Sequence, residues 1–291
     1  MNRFLAIIFA LLCATLSVSS ACLAQAADLI NFTLQPERNA SGKIHASFTH
    51  EGRGRYDNSW STGFMPSDLI GMEVSSFRAA GTRPLHFAIV REAGRLDCAG
   101  NGGGSYASGN CRFSADAGFT RLLASRGIGQ PTREQAFGLM AINARRELIE
   151  GLAAARDPMP TIDNLMALSA LRVDRGYIAG MSRAGYRPAT LQSLIQFKAL
   201  GITPEWIAGF ARLGYANVPA DGLVQMRALG ITPDYILGFQ RLGYRNLPVS
   251  KLVQLKALNI TPEFVRSAVG EQKELPPVSE LVDRKMLAKR R

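Results

Sequence analysis

Histidines and cysteines are the side chains most often used in catalysis and metal binding, and this sequence contains few of them. There are three histidines, His45, His50 and His86, and four cysteines among 291 residues. His50-Glu51 matches the first two residues of the zinc-peptidase motif HExxH, but Gly54 stands where the second histidine belongs. His45 and His50 are an odd number of residues apart, so on one strand they would point to opposite faces. We therefore expect no metal site and no cofactor.

The patterns of a serine nucleophile and of a phosphate-binding loop are also missing. The glycine-rich segment Gly100–Gly104 is not followed by Lys-Ser or Lys-Thr, and no helix is predicted to begin there. The sequence Gly-x-Ser-x-Gly, which would place a serine nucleophile on a sharp turn, does not occur. We expect no catalytic residue and a protein that is not an enzyme. An active site within the N-terminal β-rich region is the alternative.

Basic side chains are the most regular chemical feature of the sequence. Lysine and arginine outnumber aspartate and glutamate by 34 to 23, a net charge of +11, which favours acidic partners. Six basic residues recur in two columns of the repeat described below: Arg183, Arg212 and Arg241, and Lys198, Arg227 and Lys256. Because columns of a repeat array align in space, we expect two basic rows that bind a partner. A solvated helix face is the alternative.

Two cysteines flank a glycine-rich segment that is typical of a β-hairpin. Symmetric pairing of its two strands places Cys98 opposite Cys111 and Leu96 opposite Phe113, so that one register serves both a disulfide and an apolar face. The spacing is not that of a CxxC motif and no histidine is near, which disfavours a metal or redox pair. We expect a structural disulfide between Cys98 and Cys111.

The N-terminal segment 1–26 has the three parts of a secretory signal peptide. Asn2-Arg3 is the positive start, an apolar run extends from Phe4 to Val18, and Ala24-Gln25-Ala26 fits the cleavage site. The run is shorter than the roughly 20 residues of a membrane-spanning helix, and no later segment reaches that length. We expect cleavage after Ala26 and a periplasmic or secreted protein, where disulfides are permitted; an uncleaved N-terminal anchor is the alternative.

Cys22 suggests a second alternative, because a cysteine that follows small residues can be acylated. Ser19-Ser20-Ala21 precedes it, without the large apolar residue that usually stands three positions before a lipidated cysteine. We therefore favour a freely exported protein over a lipoprotein anchored through Cys22.

Residues 27–115 are predicted to form a small antiparallel β domain. Apolar and polar residues alternate around Phe32, Phe48 and Phe87, which is the pattern of strands with one buried face. Glycine-rich stretches at 52–54 and 100–104 separate the strands. We expect a sandwich or a curled sheet, followed by a helical connector over 116–131.

The strongest signal is an internal repeat with a constant step. The sequence GITPEWI begins at Gly201, GITPDYI begins at Gly230, and NITPEFV begins at Asn259, which defines a 29-residue period. Weaker copies precede these three, and a fixed period of this length marks a repeat array. We expect the array over 132–270 and a basic C-terminal tail over 271–291.

Each repeat carries the signals for two short helices. Thr203 and Pro204 suit the N-cap and the first helical position, and Gly214 can end the helix in the left-handed conformation. Pro219 marks the start of the second helix and Gly230 its end. Helices this short need neighbouring repeats for stability. The expected fold class is α+β, a β domain followed by a solenoid of αα-hairpins.

One column places glycine inside the first helix of successive repeats: Gly151, Gly180, Gly209 and Gly238. Glycine within a helix costs about 1 kcal/mol relative to alanine, so its recurrence needs a physical reason. We expect close packing between helices. A hinge or a ligand contact is the alternative.

The repeats that begin at Gly201 and Gly230, each followed by a Gly-Tyr pair, resemble an uncharacterised bacterial repeat family. Similar repeats lie C-terminal to membrane metallopeptidases of the β-lactam-sensor type. The resemblance covers roughly 132–268, and Phe87–Gly94 resembles the β module that precedes such arrays. Because the chain has no HExxH motif, the resemblance implies an extracytoplasmic interaction or sensing module and not a peptidase.

Together these features predict an exported, non-enzymatic protein that binds an acidic partner, namely a protein, an envelope polymer or an anionic surface. A periplasmic DNA-binding array is the second interpretation, because Ala199–Pro204 loosely resembles a helix-hairpin-helix turn. Pro204 has no amide hydrogen where such a turn presents one to a phosphate, which disfavours nucleic acid. Peripheral contact with a membrane surface is a further alternative.

Overall fold

The architecture is taken from a computed structural model that describes residues 29–38, 42–50, 58–269 and 275–288. The predicted signal peptide, its cleavage site and Cys22 lie outside the described residues. Within those residues, no helix combines the length and the apolar character needed to cross a membrane.

The N-terminal region forms one antiparallel sheet of six strands in the order β3-β2-β1-β6-β5-β4. The strands are β1 (Ile30–Pro36), β2 (Ile44–His50), β3 (Asn58–Phe64), β4 (Arg83–Arg91), β5 (Gly94–Gly103) and β6 (Tyr106–Ala115). The predicted antiparallel β domain is thus confirmed. It is a single sheet and not a sandwich, because both three-strand meanders join edge to edge through β1 and β6.

Alternation along the strands decides which face of the sheet is buried. In β1, Ile30, Phe32 and Leu34 are buried, and the polar residues between them are exposed. An antiparallel sheet commonly packs one face on the core and leaves the other in water. We call the exposed face the outer face of the sheet.

The glycine-rich hairpin pairs in the predicted register. Cys98 lies opposite Cys111, and Leu96 lies opposite Phe113. The two cysteines form a disulfide whose Cα atoms are 4.0 Å apart. All four residues are buried, so the covalent bond and the apolar core share one face, as the sequence indicates.

Further elements complete this part of the chain. A 3₁₀ turn (Pro66–Asp68) and helix α1 (Val74–Arg78) connect β3 to β4. Two helices, α2 (Ala117–Ser125) and α3 (Arg133–Ala141), follow β6. In the contact pattern of the chain, residues 130–143 group with the sheet, and 124–129 group with the residues from Ala144 onward.

Helix α3 is held to the sheet by aromatic and arginine contacts. The ring of Phe137 lies edge-on to Phe113, with centroids 5.5 Å apart. The guanidinium of Arg91 lies 5.1 Å from the centroid of Trp60 and donates a hydrogen bond of 2.8 Å to the carbonyl oxygen of Met140. The helix that the sequence assigns to the start of the array is therefore also part of the β unit's core.

The remaining described helices form the array. They are α4 (Arg146–Ala155), α5 (Ile162–Ala170), α6 (Arg175–Arg183), α7 (Leu191–Ala199), α8 (Pro204–Ala211), α9 (Ala220–Ala228), α10 (Pro233–Arg241), α11 (Val249–Ala257), α12 (Pro262–Val269) and α13 (Val278–Ala288). Helices two apart in sequence contact each other, such as α4 with α6 and α5 with α7. The expected α+β fold with a helical repeat is confirmed.

The period extends further along the chain than predicted. First helices begin at 117, 146, 175, 204, 233 and 262, and second helices begin at 133, 162, 191, 220, 249 and 278. Both series keep the same step as the sequence repeat. Helix α13 occupies the segment predicted as a basic tail, so 278–288 is a helix of the repeat series.

Caps and turns follow the predicted chemistry. The hydroxyl of Thr203 accepts a hydrogen bond of 3.2 Å from the amide of Trp206, which caps α8. The turns that follow the second helices hold Gly201, Gly230 and Asn259 at φ angles of 67°, 65° and 52°. Glycine adopts this left-handed conformation without steric cost, and asparagine tolerates it better than most residues.

The glycine column allows consecutive first helices to approach closely. A Cβ atom added to Gly180 would lie 2.7 Å from Cγ of Pro204, and one added to Gly238 would lie 2.6 Å from Cγ of Pro262. Both separations are too short for two carbon atoms, so the proline that starts one helix packs on the bare backbone of the preceding first helix. The close-packing interpretation is confirmed.

Candidate binding surface

The first basic column consists of Arg183, Arg212 and Arg241, which we call the arginine column. Arg183 and Arg241 are the last residues of α6 and α10, and Arg212 is the residue that caps the C-terminus of α8. All three side chains are exposed. Within the described part of the chain, none of the three guanidinium groups makes a hydrogen bond or an ion pair.

Acidic residues also recur at the starts of the first helices. Glu205, Asp234 and Glu263 are the second residues of α8, α10 and α12, and all are exposed. The pKa of Glu205 is lowered, mainly by hydrogen bonds from its own amide and from the hydroxyl of Thr203, with a smaller contribution from the charge of Arg183. The arginine column therefore has an acidic neighbour at Glu205, although the two groups form no ion pair.

The second basic column consists of Lys198, Arg227 and Lys256, and each cation lies over an aromatic ring of its own hairpin. We call it the cation–aromatic column. The distances from cation to ring centroid are 4.4 Å for Lys198 over Tyr177, 5.9 Å for Arg227 over Trp206 and 4.7 Å for Lys256 over Tyr235. Such contacts attract the cation to the electron-rich face of the ring.

A fourth pair continues this column. Lys285 lies 4.6 Å from the ring centroid of Phe264 and stands one repeat step beyond Lys256. The prediction of a tail over 271–291 left this pair unrecognised. In the hairpin of α4 and α5, Leu148 stands at the position of the ring and Ser169 at the position of the cation. This hairpin therefore lacks both members of the pair.

The two tyrosines that lie under cations of this column join consecutive repeats. The hydroxyl of Tyr177 donates a hydrogen bond of 2.7 Å to the carbonyl of Ile202, and that of Tyr235 donates one of 2.7 Å to the carbonyl of Ile260. Burial raises the pKa of both tyrosines well above the ordinary value. Arg227 adds a hydrogen bond of 2.9 Å from Nε to the carbonyl of Leu200. The cation–aromatic column thus has defined partners inside the array.

Along the first helices, the rings that lie under the cation–aromatic column are near the N-terminus, and the side chains of the arginine column are near the C-terminus. Tyr177, under Lys198, is in the first turn of α6, whereas Arg183 is the last residue of that helix. This sequence separation corresponds to about 9 Å along a helix axis. The six predicted residues therefore belong to two separate groups. Within the described residues, the arginine column makes none of the ring or hydrogen-bond contacts that the cation–aromatic column makes.

The outer face of the sheet contains an open depression of about 350 Å³. It is lined in part by Ile70, His86, Arg95, Asp97 and Ala99. Arg95 and Asp97 form an ion pair of 2.7 Å, and both side chains are about half exposed. In the described residues, no group of three or more histidine, cysteine, aspartate or glutamate side chains is arranged to hold a metal ion.

The turn that resembles a helix-hairpin-helix motif uses its amide groups internally. The amide of Trp206 donates to the hydroxyl of Thr203, and the amide of Ile207 donates to the carbonyl oxygen of Thr203. Pro204 contributes no amide hydrogen. Most of the amides at the start of α8 are therefore used within the protein or absent, which disfavours a phosphate at this turn.

Comparison of the chain with models of known protein families gives no match, and comparison with curated protein sequences finds no significant relative.

Proposed function

We propose that this is an exported, non-enzymatic interaction protein that binds an acidic partner through its helical array. The observation that carries the proposal is the arginine column. Arg183, Arg212 and Arg241 recur at one position of three consecutive repeats, are exposed, and have no hydrogen bond or ion pair within the described residues. Guanidinium groups are well suited to carboxylates and phosphates because they present several fixed donors.

The contacts of the cation–aromatic column support the choice of the arginine column as the binding surface. Lys198, Arg227 and Lys256 already lie over aromatic rings, so their recurrence has an explanation in packing. No such internal contact accounts for the arginine column. We therefore narrow the expected binding surface to Arg183, Arg212 and Arg241.

The spacing of the arginine column favours a partner with extended negative charge. Helix layers in an array pack about 10 Å apart, so three consecutive arginines present a line of charge. An acidic polypeptide segment or an acidic envelope polymer supplies matching charges along its length. Because all three side chains are exposed, salt should weaken the interaction.

Three observations support an extracytoplasmic location. The N-terminal segment 1–26 has the composition of a secretory signal peptide. Cys98 and Cys111 form a disulfide, which fits an oxidising compartment. The resemblance of the GITP repeats to arrays beside β-lactam-sensor-type metallopeptidases also favours an extracytoplasmic module with a sensing or interaction role.

The test is binding of the mature protein to polyglutamate, which serves as a probe for an extended acidic chain. The variant R183Q/R212Q/R241Q removes the charge of the arginine column. The control R78Q/R121Q/R126Q removes the same charge from exposed arginines outside it. We expect the arginine-column variant to bind at least about tenfold more weakly and the control to bind nearly as well as the wild type.

Equal loss of binding in the two variants would show that only net charge matters and would contradict the proposed surface. Tighter binding of a short DNA duplex than of polyglutamate, with a steep dependence on salt, would instead favour the DNA-binding interpretation. Preferential binding to anionic vesicles would favour contact with a membrane surface.

A further inference from the structure

The outer face of the sheet carries two rows of side chains, most of which are short, uncharged and polar. Residues that lie directly opposite each other in the strand register share a face. One row is Ser61, Ser47, Thr33, Ser108, Asn101 and Pro84, and the second is Ser59, Thr49, Asn31, Asn110, Ala99 and His86. Together they cross the sheet from β3 to its opposite edge.

These side chains are accessible to a ligand. All of them are exposed or half-buried. Apart from Asn31, their hydroxyl and amide groups make no side-chain hydrogen bond with other described residues. Hydroxyl and amide groups both donate and accept, so the rows can satisfy a ligand that itself carries both kinds of group.

The charged side chains of this face lie outside the two rows. Arg95, Asp97 and Arg112 flank the two rows on one side, and Lys43 and Glu37 lie beyond them on the other. In a chain with 34 basic and 23 acidic residues, two exposed rows without lysine, arginine, aspartate or glutamate are not what solubility alone favours. They match a partner without charge.

The second row ends in the depression of about 350 Å³, which is lined by Ala99, His86 and the Arg95–Asp97 ion pair. A paired carboxylate and guanidinium present fixed acceptors and donors to adjacent hydroxyl groups of a ligand. At the opposite end of β6, Tyr106 is 51% exposed and lies on the same face as Ser108, two positions away. Its ring offers a surface for stacking.

We propose that the outer face of the sheet binds an uncharged polysaccharide chain. Such a chain presents alternating hydroxyl donors and acceptors, carries no charge, and has apolar C–H faces that stack on an aromatic ring. Adjacent strands are about 4.8 Å apart, close to the advance per sugar of an extended β-linked glycan. The glycan lies across the strands along the rows, and a sugar at one end occupies the depression.

This surface is distinct from the arginine column, and its short side chains favour binding. Ser, Thr and Asn lose little rotamer freedom when they bind, in contrast to the long side chains of an ordinary charged surface. The protein would then have two recognition surfaces of different chemistry, one for an acidic partner and one for a neutral glycan.

The test is calorimetric titration of the mature protein with cellohexaose, chitohexaose and maltohexaose. The variant S108K places a long charged side chain in the first row. S250K is the matched control, since Ser250 is an exposed serine of helix α11, outside the sheet. We expect S108K to bind at least about tenfold more weakly and S250K to bind within about twofold of the wild type.

A second set of variants tests the same surface without added volume, in case S108K does not fold. N101A/S108A removes one amide and one hydroxyl without adding volume, and D97N alters the depression alone; each should weaken binding several-fold while thermal unfolding stays unchanged. The arginine-column variant R183Q/R212Q/R241Q should bind the hexasaccharides normally. The proposal is overturned if none of the three glycans binds at millimolar concentration, or if S108K and S250K bind equally well.

Discussion

The arginine column and the cation–aromatic column have the same period and the same sign of charge, but the structure gives them different surroundings. Lys198 and Lys256 lie over tyrosines whose hydroxyl groups bind the next repeat. Arg183 and Arg241 end their helices in solvent without a comparable partner. Regular recurrence therefore identifies a constraint, and only the contacts reveal whether that constraint is packing or binding.

The comparison also explains why a basic residue is retained over the rings. Tyr177 and Tyr235 are buried, and the ammonium groups of Lys198 and Lys256 lie 4.4 Å and 4.7 Å from the centroids of their rings. Each cation therefore contacts the face of a ring that belongs to the core of its hairpin. The cation–aromatic column thus completes the packing of each hairpin.

The largest expected difference between the columns is in stability. Tyr235→Ala removes a buried ring that packs on Phe239 at 5.0 Å and donates to Ile260, so it should lower the free energy of unfolding by about 3–5 kcal/mol. Arg241→Ala, in the same helix, should change it by less than about 0.5 kcal/mol. Urea titration measures both. Similar losses in the two variants would remove the distinction.

The array should also lose stability at alkaline pH. The pKa values of Tyr177 and Tyr235 are raised in the folded protein by burial, so the folded state keeps their protons above the ordinary pKa of about 10. Unfolding then releases protons, and stability falls as pH rises above about 10. Melting temperatures between pH 8 and 11 should show this decline, and Y177F/Y235F should show a shallower one.

Removal of a single cation should have a smaller effect. Lys256→Gln loses the contact with Tyr235 at 4.7 Å and should cost about 0.5–1 kcal/mol. Arg241→Gln removes the same charge from the arginine column and should cost less. If Arg241→Gln is the more destabilising of the two, the assignment of packing to one column and binding to the other is wrong.

Much of the fold can be predicted because its constraints are local or periodic. The register of Cys98 with Cys111 follows from symmetric pairing across a hairpin, and the alternation of β1 identifies its buried face. The repeat step is carried by residues with specific backbone roles, such as Gly201 and Pro204. These residues have few substitutes, so the period survives where the surrounding sequence differs.

The ends of the array are harder to recognise. Pro277, Leu281 and Lys285 continue the columns of Pro248, Leu252 and Lys256 with the same step, and this signal places α13 in the repeat series. The basic composition of the last residues favours a tail instead. At the other end, α3 begins one step before α5, but its contacts with Trp60 and Arg91 depend on tertiary packing that no period encodes.

The candidate site can be predicted only in part, for a similar reason. The six basic residues are evident from their columns. That Lys198 meets Tyr177 requires two helices of one hairpin to be placed side by side, and the sequence contains only a constant separation between ring and cation. The rows of the outer sheet face are also hidden in the sequence, because they run across strands that are distant along the chain.

The most direct test of the account measures stability and binding together in two triple variants of equal charge, R183Q/R212Q/R241Q and K198Q/R227Q/K256Q. We predict that one variant will lose binding and the other will lose stability. The arginine-column variant should unfold like the wild type and bind polyglutamate at least about tenfold more weakly, whereas the cation–aromatic variant should be less stable by about 1–3 kcal/mol and retain most of its binding. Equal binding losses in the two variants, or loss of stability confined to the arginine-column variant, would contradict the account.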